Sequence, residues 1–434
     1  MRAIIIQNLH QLRNNKLFRD ASWAVVGNGM ANALLLIAGI IIARMLGRDM
    51  YGQYGYVKTT MLTVSGVVTF GLGITSTRYV ARMIESDPDH IKELIRDAQR
   101  ITIAFSGTLG TILFITAPWV AKYLDGIEFS SALRMLASLI VIRAIITTQN
   151  GILSGLKKFD SVARNNIASG LLMIVTCVPL TYIFNLNGAL VALLLSQVTN
   201  CMLNYFSIRE QTKAYHNYLA KNKYIKELLK FSFPVALQDF SYTLFGILEI
   251  SLLAKLSTIG EVGLYTASAQ WNAVVLMIPS LLGNIILSYL SGTAESDNKH
   301  NHIFNMMLMA NFICTIIPFF IVMVASDIIV SMYGPSFAAM KGVLIILVIS
   351  AIFECCASVF RCEFIAMGKV YVLTCVRIIR DILRVLAIYI VLSIANGKNG
   401  AMNYSIVMVV TSALNLSALA IMYYIFPKRN LATK

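Results

Sequence analysis

The chain holds 434 residues, of which 57% are apolar and only 13% charged, with a formal net charge of +15. Globular proteins use roughly 45–50% apolar and about 25% charged residues, so a water-soluble body of this length would lack the charge to keep its surface wet. An ordinary cytosolic enzyme, a disordered chain and, despite the positive charge, a nucleic-acid binder are excluded. With about 20 apolar residues needed per crossing, the composition specifies an all-α polytopic membrane protein.

Apolar runs place twelve spans near 21–43, 59–80, 99–121, 130–153, 162–184, 188–208, 232–255, 263–290, 303–325, 341–366, 370–394 and 402–426. Residues 1–20 carry Arg2, Arg13, Lys16 and Arg19 without a small-residue cleavage pattern, so no removable leader is expected. The N-terminus, the even-numbered loops and the C-terminus together hold roughly 23 Lys and Arg, against about 7 in the odd-numbered loops. Positive charge collects on the cytoplasmic side, so both termini are expected there. All seven Cys fall in apolar stretches without CxxC spacing, and the five His lie outside the spans. No metal or other cofactor is expected.

The chain carries an internal repeat. Ala43-Arg44-Met45 is followed by Gly52-Gln53-Tyr54, and Ala254-Lys255-Leu256 by Gly263-Leu264-Tyr265, at an offset of 211. The end of span four, Leu153-Ser154-Gly155-Leu156-Lys157, resembles Ala366-Met367-Gly368-Lys369 at the end of span ten. Six spans separate each pair, and an even number preserves orientation, so the expected arrangement is a parallel repeat. It divides the chain into an N-terminal lobe (1–208), a basic cytoplasmic linker (209–230) and a C-terminal lobe (231–434) around a central cavity. Gly52 and Gly263 are expected to let the chain turn at the interface, with Tyr54 and Tyr265 anchored at headgroup level.

The informative residues are those that cost energy where they stand. Span eleven carries Arg377, Arg380, Asp381 and Arg384, spaced i, i+3, i+4, i+7 on one helix face. Its large aliphatics return roughly 5–9 kcal/mol on insertion, while four charges cost up to about 10–14 kcal/mol. That face must therefore meet protein or water. Span ten offers Glu354 and Arg361 on one face, span seven Asp239, Tyr242 and Glu249, and span four Arg143, Thr147 and Asn150. Asn28 in span one and Gln197, Asn200 and Asn204 in span six add polar stripes.

Two readings of the charges stay open. They neutralise one another, Arg377 with Asp381 and Arg361 with Glu354, or they line a hydrated cavity with a cationic excess suited to an anionic substrate. On the second reading Arg143, Arg361, Arg377, Arg380 and Arg384 contact substrate, with Asn28, Asn150, Gln197 and Asn200 as sugar contacts. For the Asn and Gln stripes, hydrogen bonding between helices is the competing role. Asp239, Glu249, Glu354 and Asp381 are candidates to carry a coupling proton or sodium ion.

Several stretches also carry a family likeness. IIARMLGRDMYGQYGYV (41–57), FGLGITSTRYVAR (70–82), GILSGLKKFDSVARNNI (151–167), FSFPVALQDF (231–240), EVGLYTASAQW (261–271) and MYGPSF (332–337) resemble the polysaccharide-biosynthesis and O-antigen repeat-unit flippases. These belong to the multidrug/oligosaccharidyl-lipid/polysaccharide (MOP) exporter superfamily. The resemblance implies a bacterial inner-membrane transporter of two six-helix lobes. It implies movement of an undecaprenyl-diphosphate-linked oligosaccharide to the periplasmic leaflet by alternating access, with membrane lipids and a polysaccharide polymerase as partners. The competing functions are a multidrug antiporter of the same superfamily, whose cavity should be acidic and aromatic, and a membrane polymerase or ligase. The enzyme reading lacks the large extracytoplasmic loop it needs.

Overall fold

The computed structural model describes residues 16–124, 130–215, 224–280, 297–367 and 369–425, together with Leu282 and Ile286. The middle of the expected linker (216–223), most of the second half of span eight, both chain termini and the side chain of Asn28 lie outside the described residues. The elements are α1 (Lys16–Val68), α2 (Leu72–Ser86), α3 (Ile91–Leu124), α4 (Ser130–Gly155), α5 (Phe159–Gln211) and α6 (Ile225–Leu256). They continue as α7 (Ile259–Val275), α8 (Asp297–Val324), α9 (Ser326–Tyr333), α10 (Met340–Ala366), α11 (Val370–Ile394) and α12 (Gly400–Ile425). Among the described residues there is no strand, as expected of an all-helical membrane fold.

By length and composition, seven helices in the described residues are apolar enough to cross a membrane. They include Gly29–Val68 and Phe159–Gln211, 40 and 53 residues long. A bilayer core of about 30 Å takes about 20 residues, so a 53-residue helix is long enough to cross twice. It does fold back on itself. At Asn185 the backbone turns to φ 49°, and a Cβ on Gly188 would strike the Leu180 carbonyl. Ser196 then donates to the Ser169 carbonyl at 2.9 Å and Asn165 to Asn204 at 2.8 Å, a pairing that runs antiparallel. α11 is absent from the seven because of its four charges.

The expectation of one unbroken span over 59–80 is corrected. The helix ends at Val68 and restarts at Leu72, with Phe70 and Gly71 both at positive φ (52° and 68°). Hydroxyls upstream compete for carbonyls: Ser65 donates to Leu62 at 2.8 Å and Thr69 to Gly66 at 2.6 Å. Phe70 N donates to Val67 at 2.8 Å and Leu72 N to Thr69 at 3.0 Å, which keeps these amides of the turn paired.

The chain forms two compact units. The first comprises residues up to Leu46 and Tyr56–Ile247; the second comprises Gly47–Gly55 and everything from Leu248. In the first, α2, α3 and α4 meet around Leu72, Val80, Ile91, Leu94, Ile152 and Leu153. In the second, Phe304, Phe360, Phe364 and Tyr423 join α8, α10 and α12, with Phe304 stacked on Tyr423 at 5.0 Å.

Within the second unit the two marker glycines of the repeat face each other. A Cβ on Gly52 would strike the Ile259 carbonyl oxygen, and one on Gly263 would strike that of Arg48. Small residues let the two backbones approach this closely. The expected turning role belongs instead to Gly47, at φ 71°. Tyr54 is 1% exposed and Tyr265 packs edge-on against Tyr404 at 4.7 Å, so neither sits as a headgroup anchor. Thr258 caps α7 by accepting from Glu261 N at 3.4 Å. The Glu261 carboxylate takes hydrogen bonds from Arg48 at 2.9 Å and from the Ala401 amide at 2.7 Å, tying residues 47–55, α7 and α12 together. Replacing Gly52 or Gly263 with Ala is therefore expected to cost about 1–3 kcal/mol through overpacking. Thermal unfolding in detergent measures this, with Gly107→Ala as the control, since nothing surrounds that position within 4 Å.

Candidate functional site: a buried ionic cluster and an asparagine ladder

α11 presents two contrasting faces. Ile378, Ile379, Ile382, Leu383 and Leu386 are exposed, as lipid-facing residues should be, whereas Val376, Asp381, Arg384, Ile388 and Leu392 are buried. The charged stripe thus lies on the side turned toward protein, as its cost in hydrocarbon requires. The helix begins at Val370, which puts Arg384 about 21 Å along its axis at 1.5 Å per residue.

The charges form a cluster across four helices of the second unit. Arg380 donates through both Nε (2.8 Å) and Nη2 (2.6 Å) to one oxygen of Asp381, while Arg377 stands 3.9 Å from the other. Arg384 lies 4.0 Å from Glu249 of α6 and donates to Thr411 (2.9 Å) and Ser412 (3.5 Å) of α12. Ser412 in turn donates to Glu354 of α10 at 3.5 Å, and the Tyr404 hydroxyl donates to Glu249 at 3.5 Å. Arg361, on the same helix as Glu354, is exposed. Three guanidiniums here meet three carboxylates, Asp381, Glu249 and Glu354, and Arg361, whose charge interacts with those of Glu354, Arg377 and Arg380, brings the guanidiniums to four, a formal excess of one positive charge.

The first unit solves the same problem with neutral groups. Asn204, wholly buried, accepts from Asn165 at 2.8 Å and donates to Asn150 at 3.0 Å and Asn200 at 3.1 Å. Asn200 donates onward to Asn166 (2.8 Å) and Ser169 (2.9 Å). The ladder joins α4 to both halves of α5, so Asn150 and Asn200 are engaged between helices. Gln197 is 7% exposed, and its Oε1 has no hydrogen-bond partner among the described residues. Arg143 is half-buried on α4; its carbonyl accepts from Thr147 at 2.9 Å, and its Nε is likewise without a partner among the described residues. Asp239 packs beside Gly66 of α1, where an added Cβ would lie 3.5 Å from its carboxyl carbon.

The structure thus gathers Arg377, Arg380, Asp381, Arg384, Glu249 and Glu354 into one network and Asn150 and Asn200 into another. Arg143, Gln197 and Asp239 belong to the first unit, and the ionic cluster belongs to the second. Sequence reading missed Thr411, Ser412 and Tyr404, which complete the cluster, and Asn165 and Asn166, which complete the ladder. The adjacent hydroxyls in the middle of α12 and the Asn pair near the start of α5 were the available signals.

Removing one partner of a buried ion pair leaves the other charge uncompensated, at a cost of about 3–5 kcal/mol. Glu249→Leu alone is expected to destabilise by this order, and Glu249→Leu with Arg384→Met to recover much of it. A double-mutant cycle read by thermal unfolding checks the coupling; additive losses would mean the two charges do not act as a pair.

Comparison with known proteins follows from this geometry. No curated protein matches by sequence. Among solved structures, an inward-facing multidrug resistance MATE family transporter of the MOP superfamily superposes with a TM-score of 0.73 at 16% identity, covering 91% of this chain and 95% of that one. The lipid II flippase MurJ in an inward closed conformation also superposes at 0.73, with 15% identity and coverage of 93% and 88%. A MOP superfamily transporter from Pyrococcus furiosus, described by a binding pocket of reversed polarity, gives 0.62 at 17% identity over 94% and 95%. These likenesses establish the fold of a multi-pass helical membrane protein. The family profile described as polysaccharide biosynthesis protein matches residues 17–289. That match takes in well over half of the chain, which is therefore a member of the polysaccharide biosynthesis protein family.

Proposed function

We propose that the protein is a flippase of the bacterial inner membrane that carries an undecaprenyl-diphosphate-linked oligosaccharide, an O-antigen or other surface-polysaccharide repeat unit, from the cytoplasmic to the periplasmic leaflet. It has no enzymatic step. Twelve crossings, counting α1 and α5 twice, taking α2 with the second half of α1 and leaving out the eight-residue α9, make two six-helix lobes (1–208 and 231–434) joined by the basic segment 209–230, with both termini cytoplasmic. Alternating access between the lobes moves the glycan, and a polysaccharide polymerase takes the product.

The observation that carries this reading is the cationic cluster at membrane depth on α11. Five charged groups, Arg377, Arg380, Asp381, Arg384 and Glu249, are kept in an apolar setting at considerable cost. A guanidinium excess matches the oxygens of a diphosphate. Arg361 supplies that excess and Arg143 adds further positive charge, and Asn28, Asn150, Gln197 and Asn200 add amides for the sugars. Membership of the polysaccharide biosynthesis family and the likeness to a lipid II flippase support the same substrate class. A coupling proton or sodium ion would be carried by Glu249, Asp239, Glu354 or Asp381. The equally good superposition on a multidrug transporter favours a second reading, export of cationic drugs, which the positive balance of the cluster opposes.

Deleting the gene is expected to abolish the surface polysaccharide and to accumulate its lipid-linked intermediate. Arg380→Ala and Arg384→Ala are expected to reproduce the loss beyond any fall in their abundance in the membrane. Surface glycan at wild-type levels in both variants rejects the assignment of these residues, and resistance to cationic drugs on overexpression favours the antiporter.

A further inference from the structure

The first unit contains a cavity of about 510 Å³ that plays no part in either polar network. Its walls include Phe70, Phe105, Leu109, Phe233, Leu237 and Phe240. The volume falls within the range of ligand pockets, about 300–1,000 Å³. Thr108, the lone hydroxyl in the lining, donates to its own helix at Ala104 at 2.8 Å, so the walls offer a ligand nothing but hydrocarbon. Phe105, Phe233, Leu237 and Phe240 are each between 39% and 59% exposed, so the cavity is open to its surroundings and not enclosed.

Two further observations give the cavity a direction. One wall is the helix break, where Phe70 is held at φ 52° and stacks on Phe105 at 4.5 Å. A bulky residue in the left-handed region is strained, and such strain persists where the surroundings enforce it, often at binding sites. The other observation is charge. On α6 the residues Lys226, Lys230, Phe233, Leu237 and Phe240 follow one another at intervals of four, three, four and three, a single helix stripe. On α3 Arg100, Ala104 and Thr108 do the same at intervals of four. The Tyr224 amide at the head of α6 donates to Asp97 of α3 at 3.1 Å, so the two basic ends meet at one end of the groove. Arg78 joins them, its guanidinium 4.5 Å from the ring of Phe231. Of the carboxylates there, Glu93 and Asp97 are buried, Asp97 engaged with Tyr224 and, at 3.7 Å, with Arg100, while Glu227 lies beside Tyr79.

We propose that this groove docks the carrier lipid of the transported glycan, with the isoprenoid tail in the aromatic cavity and its diphosphate among Arg78, Arg100, Lys226 and Lys230. The proposal rests on the flippase reading and adds to it a site distinct from the ionic cluster of α11. The basic end, some 15 Å from Phe240 along α6, suits an anionic head on a long hydrocarbon chain.

The test uses the full chain in phosphatidylcholine nanodiscs with a diazirine-tagged polyprenyl diphosphate, mapped by mass spectrometry. Crosslinks are expected in 104–109 and 233–240, displaced by unlabelled polyprenyl diphosphate but not by an equal excess of phosphatidylglycerol. Ala104→Phe and Thr108→Phe fill the groove from exposed positions and should cut labelling about tenfold. Lys226→Gln with Lys230→Gln should weaken it and reduce its salt dependence. Labelling elsewhere, equal displacement by phosphatidylglycerol, or indifference to the filling variants overturns the groove. If the wild type flips lipid-linked oligosaccharide in proteoliposomes and Ala104→Phe does so at the same rate, the groove alone fails. A wild type that is labelled in the groove and flips nothing upholds the groove and overturns the transport function.

Discussion

A guanidinium some 20 Å along a membrane helix has to be answered by other groups, and much of the second unit's interior follows from that requirement. Arg384 is met from three sides, by Glu249 of α6 and by Thr411 and Ser412 of α12, and Ser412 passes the connection on to Glu354 of α10. Each of these helices is held at a rotation that points a polar group inward. Taking two ions out of water is expensive, and their attraction offsets the cost only when further hydrogen bonds complete the geometry. The cluster is therefore a weak source of stability and a strong determinant of how the helices are turned.

The first unit meets a milder version of the same constraint with amides. The ladder from Asn165 to Asn150 carries no charge to neutralise, so its hydrogen bonds are used up within the helices that make them. The contrast assigns different work to the two polar regions. An amide ladder fixes α4 against the two halves of α5, whereas the ionic cluster sets the rotation of four helices around Arg384. The apolar groove of the first unit belongs to neither network.

Backbone breaks are the second constraint. Gly47, Phe70 with Gly71, and Asn185 all take positive φ inside or between long apolar helices. In hydrocarbon each break must keep its amides and carbonyls paired, and the turns at Phe70 and Leu72 do so with short-range bonds. Close approach makes the same demand of side chains. Where Gly52 meets Gly263, a methyl group would already be too large.

Much was legible in the sequence. The apolar runs located the helices, and the boundary between spans five and six fell where Asn185 turns the chain. The spacing of Arg377, Arg380, Asp381 and Arg384 put them on the buried face of α11. These features are local: a period of 3.6 residues, a run long enough for a bilayer and the cost of a buried charge can be read from neighbours in the chain. Tertiary structure alone decided that Glu249 answers Arg384, that Asn150 and Asn200 bond between helices, that Tyr54 is interior, and that an apolar stretch breaks at Phe70. Partners distant in the chain leave no mark on local periodicity. A helix break inside a uniformly apolar run is set by which hydroxyl reaches which carbonyl, and that depends on how the helices pack.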